Sequence, residues 1–284
     1  MIKRIILSNF VKNKISKFIS YEYVFTNFFK DDTWLFSQMK SGTTFLCNVI
    51  ASYNSLILNG EIDQQKIAEQ KISDLGVLRI PNTDLLNLVY LRQKFYEKHK
   101  YPTLIQTHYP FNFTLKNNVP KKTIILYRNP FDFTASYYFY FYKNTTDLSH
   151  LTINEVIQDT LEHYKKFYFQ QKNILDLNKN CLVVSYENLI TNKEITLKKI
   201  AEFYLDKSIN SNYLIQAIES NSVENTKFME EKFGRMLNKD NANKTSFIRS
   251  GIVGDYKNSL PKDVILKIEN FLEKEKIPFD GSFI

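Results

Sequence analysis

The chain has 284 residues, 43% hydrophobic and 24% charged, figures near the globular average that exclude a disordered tail protein, a collagen-like repeat and a disulfide scaffold. Its formal charge of +8 arises from 32 lysines and six arginines against 30 carboxylates. The sign suggests an anionic partner, while the scatter of the lysines reads as a solvated surface and not as a nucleic-acid footprint. Two cysteines, Cys47 and Cys181, sit apart in apolar segments, which gives no redox pair, zinc spacing or secreted framework and fits a reducing compartment.

Along the chain, Leu7, Val11, Ile15 and Phe18 recur at helical spacing with Lys3, Arg4, Lys12, Lys14 and Lys17 elsewhere. This predicts a basic amphipathic segment over residues 1–30, packed on its own domain or in peripheral contact with a membrane surface or partner. No apolar run approaches the ~18 residues that span a bilayer, and the first ten residues lack a signal-peptide core of about 7–15 apolar residues. The expected location is cytoplasmic, with no stable membrane insertion.

From residue 33 the pattern becomes strand, loop, helix: Thr33 to Ser37 is a short apolar run, Gln38 to Thr44 is turn chemistry, and Phe45 to about Leu58 is helical. Thr103 to Thr107, Thr123 to Tyr127 and Cys181 to Ser185 are further strands. Asn129 and Pro130 supply the N-cap and first-turn residue of a helix over Phe131 to Tyr142. Other helices are predicted at about 153–173, 192–204, 210–220 and 261–275, and residues 221–260 are the least periodic, as expected of a functional loop. Short β-branched runs alternating with helices predict an α/β fold with a mostly parallel central sheet and helices on both faces. With no repeat and no composition break, residues 1–284 are expected to form one domain with its core over about 33–275.

Ligands of an open parallel sheet bind beyond the carboxyl ends of the strands, so the residues that follow each strand carry the chemistry. After the first come Lys40, Ser41, Gly42, Thr43 and Thr44 opening a helix: a glycine for close backbone approach, a helix N-terminus, a charge and hydroxyl donors, together a phosphate cradle. The lysine precedes the only glycine, so this P-loop-like turn is not a Walker A loop. After the third strand come Arg128 and, in the following helix, Ser136, which could hold a further phosphate. Arg249, Ser250 and Gly251 place an arginine and a glycine in the irregular segment, where backbone could close over an anion. His108 ends the second strand, on the same edge as the cradle, where an imidazole could take a proton from an acceptor. His99, His150 and His163 read as surface residues.

These residues carry a resemblance to the PAPS-dependent sulfotransferases, which move a sulfuryl group from 3′-phosphoadenosine 5′-phosphosulfate (PAPS) to an alcohol, phenol or amine. Met39-Lys-Ser-Gly-Thr-Thr-Phe45 resembles the family's P-K-S-G-T-T-W, and Gln106-Thr-His-Tyr-Pro110 its K-T-H-x-P. Arg128-Asn-Pro-Phe-Asp132 through Ser136 and Tyr138 resembles R-N-P-x-D-x-x-x-S-x-Y, and Arg249 to Lys257 resembles R-K-G-x-x-G-D-W-K. Tyr186-Glu-Asn-Leu189 is similar to a Y-E-D-L segment near the adenine. The resemblance implies that Lys40 to Thr44 bind the 5′-phosphosulfate, that Phe45 stacks on adenine, and that Arg128, Ser136 and Arg249 hold the 3′-phosphate with the backbone of Ser250 and Gly251. It further implies that His108 is the general base, that Lys40 neutralises the leaving phosphate oxygen, and that no metal takes part. Gln106 and Ser250 replace family lysines. Pro261-Lys262 stands where the family's dimer motif would begin, so the oligomeric state stays open. The acceptor, a small molecule and not a nucleic acid, would be met by loops over residues 60–100, 140–150 and 222–248. Two other readings stay open: an ATP-dependent small-molecule or nucleoside kinase, and a non-catalytic protein binding nucleic acid or the product nucleotide 3′-phosphoadenosine 5′-phosphate (PAP).

Overall fold

The computed structural model describes residues 32–80, 85–108, 120, 122–144, 147–233 and 251–283. The basic amphipathic segment expected over residues 1–30 lies outside them. Five short strands, β1 (Thr33–Ser37), β2 (Val77–Ile80), β3 (Leu104–Thr107), β4 (Thr123–Tyr127) and β5 (Cys181–Ser185), form one sheet in the order β2-β3-β1-β4-β5. Every neighbouring pair is parallel. The helices in chain order are α1 (Thr43–Asn59), α2 (Gln64–Ala68), α3 (Leu85–His99), α4 (Pro130–Tyr138), α5 (Ile153–Leu177), α6 (Tyr186–Thr191), α7 (Lys193–Leu205), α8 (Ser211–Ser220), α9 (Val223–Phe233), α10 (Tyr256–Ser259) and α11 (Lys262–Glu275).

A parallel sheet needs apolar side chains on both faces, and the alternation of side chains along each strand supplies them. Leu35, Val77, Leu104, Ile124, Leu126 and Val184 form one face and pack with residues of α1, α7 and α8. Trp34, Phe36, Leu78, Ile105 and Ile125 form the other, against Leu88 of α3 and Ile174 of α5. A third cluster joins α4, α5 and α11, where Val264, Ile268 and Leu272 repeat at four-residue spacing and are fully buried. Burying each of those side chains contributes about 1.5–3 kcal/mol.

The connection leaving β1 runs toward β2, whereas the one leaving β4 runs toward β5, so the chain switches direction between these two central neighbours and opens a crevice at their carboxyl ends. Three elements differ from expectation. Residues 60–100 are not a loop: they hold α2, a 3-10 turn over Ile72–Leu75, the edge strand β2 and α3. Helix α4 ends at Tyr138 and passes into a π turn over Phe139–Lys143. The irregular segment begins with α9, capped by Ser222, whose Oγ accepts from the Asn225 amide at 3.2 Å.

At the amino end of the sheet Asp32 is buried and accepts from Arg92 Nε at 2.9 Å, from the Thr103 amide at 2.9 Å and from Thr103 Oγ1 at 2.7 Å. Burial pushes the Asp32 carboxyl above its usual range, while Arg92 and the Thr103 bonds pull it back. This pair ties α3 to β1 and β3. Arg92→Met removes the cation and strands the carboxylate, and urea unfolding is expected to show a loss of about 3–5 kcal/mol. A loss below about 1 kcal/mol would mean that the pair is not a structural tie.

Candidate active site

The alternation that buries Leu35, Leu104 and Val77 on one face carries Ser37, Gln106 and Arg79 onto the same face two residues later, at the carboxyl edge. Register puts Leu35 and Arg79 on either side of Gln106. The three polar residues are bonded in sequence across the strands: Arg79 Nε donates to Gln106 Oε1 at 3.2 Å and Gln106 Nε2 donates to Ser37 Oγ at 3.3 Å. His108, just past β3, places Nδ1 at 3.0 Å from the Ser37 carbonyl oxygen and 3.3 Å from Ser37 Oγ. A carbonyl can only accept, so the ring proton sits on Nδ1 and Nε2 keeps its lone pair.

The turn after β1 has two residues in the left-handed region, Lys40 with φ 61° and Gly42 with φ 83°. For the lysine this costs about 1–2 kcal/mol, strain of the kind held at functional loops. Gly42 is required twice over: a Cβ there would also meet Tyr186 Cδ2 at 2.9 Å. The hydroxyl of Ser41 is turned inward and donates to the Gln38 carbonyl at 2.6 Å, so this buried side chain closes the turn and only its backbone is left for a ligand. Helix α1 begins at Thr43 with no side-chain cap, so its first amides and its positive dipole end lie at the loop.

Arg128, at the end of β4, is 5% exposed. Its amide donates to Gln38 Oε1 at 2.9 Å, its Nη1 donates to the Lys40 carbonyl at 2.9 Å, and its guanidinium carbon lies 4.1 Å from the centroid of the Tyr186 ring. Its Nε is buried without a hydrogen-bond partner among the described residues. Asp132, one turn into α4, accepts from the amides of Gly254 at 2.7 Å and Tyr256 at 3.0 Å and so anchors the chain that follows Gly251. Asn129 caps α4 and donates through Nδ2 to Glu187 at 2.7 Å, joining the turns after β4 and β5.

A cavity of about 580 Å³ brings these parts together. Of the residues singled out in the sequence, Lys40, Gly42, Thr43, Thr44, Phe45, His108, Arg128, Ser136, Tyr186 and Gly251 line it; Ser41 does not, and Arg249 and Ser250 lie outside the described residues. Among the lining residues that the sequence reading did not single out, two bear on the charge of the site. Tyr140, in the π turn, puts its ring centroid 3.8 Å from Lys40 Nζ, and Arg79 enters from β2. The signal for Arg79 was an arginine inside an otherwise apolar run of four. Burial is the main cause that pushes the His108 ring down to about 4; the charges of Arg79 and Lys40 add to it, and the bond to the Ser37 carbonyl opposes it. The ring is therefore neutral at pH 7, with a basic nitrogen to offer. No cluster of three or more His, Cys, Asp or Glu fit to hold a metal occurs among the described residues.

The family model described as the sulfotransferase domain matches residues 30–277. The chain is 26% identical over 245 residues to sulfotransferase 1E1 of Mus musculus, covering 82% of this chain and 79% of the relative. It is 23% identical over 274 residues to the amine sulfotransferase of Oryctolagus cuniculus, covering 89% and 83%. Among solved structures, mouse sulfotransferase SULT7A1 complexed with PAP superposes with a TM-score of 0.56 at 22% identity, over 87% of this chain and 84% of that one. Retinol dehydratase in a complex with retinol and PAP gives a TM-score of 0.56 at 15% identity, over 89% and 84%.

The four histidines can be followed by NMR of their ring protons. The resonance that disappears in His108→Ala is expected to titrate near pH 4, against an ordinary value of about 6.5. Because the folded state disfavours the charged ring, this group should also erode stability as pH falls from about 6.5 toward 4, where the unfolded chain binds the proton first. Titration of that resonance at 6 or above would contradict the buried, carbonyl-bonded ring.

Proposed function

The chain belongs to the sulfotransferase domain family, and on that premise we propose that it is a PAPS-dependent enzyme transferring a sulfuryl group to a hydroxyl or amine of a small-molecule acceptor. The observation that carries the reading is one edge of one sheet, where a neutral histidine with a basic Nε2 stands beside a glycine loop, a helix N-terminus and two cations. The residues suit this donor: the amides that open α1 face the cavity without a side-chain cap, and the buried Nε of Arg128 has no hydrogen-bond partner among the described residues.

In the proposed reaction His108 Nε2 accepts the proton of the acceptor as the new bond to sulfur forms and the bond from sulfur to the 5′-phosphate oxygen breaks. Lys40 sits at the loop where that oxygen gathers charge, and the amides from Ser41 to Thr44 give it further donors, so positioning and electrostatic stabilisation carry the rate. Lys40 Nζ against the Tyr140 ring is a pre-set cation that need not be recruited during the step. Arg128, Ser136 and Arg249 are assigned to the 3′-phosphate, with the backbone of Ser250 and Gly251. Phe45 and Tyr186 are assigned to the adenine. The proposed step assigns nothing to a metal.

We read the chain as a single domain working in the cytoplasm. The sulfotransferase model spans residues 30–277 in one piece, and the curated relatives include a cytosolic sulfotransferase of Arabidopsis thaliana. No described helix is long and apolar enough to cross a membrane. A small-molecule acceptor is supported by relatives named for an amine and for luciferin.

PAP is expected to raise the melting temperature more than ATP does at equal concentration, by mass action on a site built for two separated phosphates. Greater stabilisation by ATP would favour a kinase. His108→Ala is expected to lower turnover roughly 100- to 10,000-fold, the range for a lost general base, with PAP affinity unchanged. Loss of PAP binding in this variant would remove His108 from the acceptor side.

A further inference from the structure

The backbone of Arg128 is held by side chains on both sides. Its carbonyl falls between the last pair of the ladder joining β4 to β5, Tyr127 with Ser185, and the first helical acceptor of α4, Asn129. Neither strand nor helix takes it, and the hydroxyl of Tyr164 on α5 donates to it at 3.2 Å. Tyr164 has no exposed surface, and burial pushes its hydroxyl well above the usual range, so the group stays a donor at neutral pH. On the other side the Arg128 amide donates to Gln38 Oε1 at 2.9 Å. These two bonds fix the direction in which the guanidinium leaves the chain. Residues 277–283 cover the Tyr164 bond from behind. Gly281 has φ 74°, and a Cβ there would collide with the Tyr164 hydroxyl and lie 3.2 Å from the Arg128 carbonyl oxygen, so this close approach requires glycine. The Ser282 carbonyl accepts from Tyr168, one turn further along α5, at 3.1 Å. The Phe283 ring stacks on Tyr168 at 5.2 Å and meets Tyr127 edge-on at 5.1 Å.

We propose that Tyr164 is a positioning residue of the donor site: through the Arg128 carbonyl it aims the guanidinium at the 3′-phosphate, and residues 277–283 hold it to that task. The assignment rests on the reading of Arg128 as a ligand of that phosphate. Tyr164 does not line the cavity, so whatever it adds to nucleotide affinity passes through Arg128. Removing its hydroxyl leaves a buried carbonyl without its donor, in a gap too small to admit a water in its place. The junction between β4 and α4 can then relieve the loss only by turning the Arg128 peptide, which carries the guanidinium off its line.

The test isolates the 3′-phosphate. PAP and adenosine 5′-phosphate (AMP) differ by that group alone, so the ratio of their affinities, PAP by calorimetric titration and AMP by displacement of PAP, reads what the 3′-phosphate contributes. Tyr164→Phe is expected to weaken PAP roughly 5- to 10-fold, the worth of one hydrogen bond, and to leave AMP unchanged. In an Arg128→Lys background, which keeps a charge for Asp132 but loses the fork being aimed, the same change is expected to move the ratio less than about twofold. A tyrosine that only supports the fold would weaken both nucleotides alike or neither, and either result overturns the proposal, as does an effect of full size in the Arg128→Lys background. Should Tyr164→Phe fail to fold, Gly281→Ala, which presses on the same hydroxyl from the other side, is measured in its place against the same expectations. A wild-type protein that binds PAP no more tightly than AMP would instead bring down the 3′-phosphate reading of Arg128 on which the proposal stands.

Discussion

Ser37 and Gln38 end β1 in the middle of the sheet, where every neighbour can reach them, and the polar groups of these two residues organise the whole edge. The Ser37 carbonyl fixes the proton on His108 Nδ1, and its hydroxyl takes the amide of Gln106. The Gln38 amide donates to the Leu126 carbonyl at 2.9 Å, its side-chain oxygen receives the Arg128 amide, and its carbonyl closes the turn through Ser41. A buried backbone group must be satisfied, so this stub of chain cannot move without releasing bonds to β3, β4 and the loop together. The loop after β1 and His108 are therefore coupled through these two residues.

The cations on this edge are held by packing as much as by charge. Arg128 is gripped by the Lys40 carbonyl oxygen, by the face of Tyr186 and, at 4.0 Å, by Asp132. Asp132 has no exposed surface and uses its oxygens on amides beyond Gly251. Removing either partner would leave a buried charge without compensation, a far larger penalty than the loss of a surface ion pair. In this way the chain that follows Gly251, a residue of the cavity wall, is fastened to the first turn of α4.

Four strands were legible to within a residue because each is a continuous apolar run bounded by turn residues. β2 was not, because it is four residues long, has an arginine within it, and takes its strand character from pairing with β3, a tertiary fact that periodicity cannot report. The same concealment hid Arg79 from a reading that looked for cations only after recognised strands. The loop residues that line the cavity were legible because the glycine, lysine and hydroxyl residues are adjacent in sequence. The inward turn of the Ser41 hydroxyl was not, since a serine in a loop looks the same whether it faces a ligand or its own backbone. Helix α4 was overextended because aromatic spacing fits an α turn and a π turn about equally well.

That wide turn, Phe139–Lys143, gives the cavity wall its fine adjustment. A π turn holds one residue more than α geometry would need, and a residue is worth about 100° of rotation about a helix axis. Shortening the chain by one position there would let the helix run on regularly and swing the Tyr140 ring out of line with Lys40, with no change in any side chain that touches the reactants. Chain length at this bend is thus a dial on the pocket, and homologues could retune it by a single-codon deletion as effectively as by exchanging an aromatic residue.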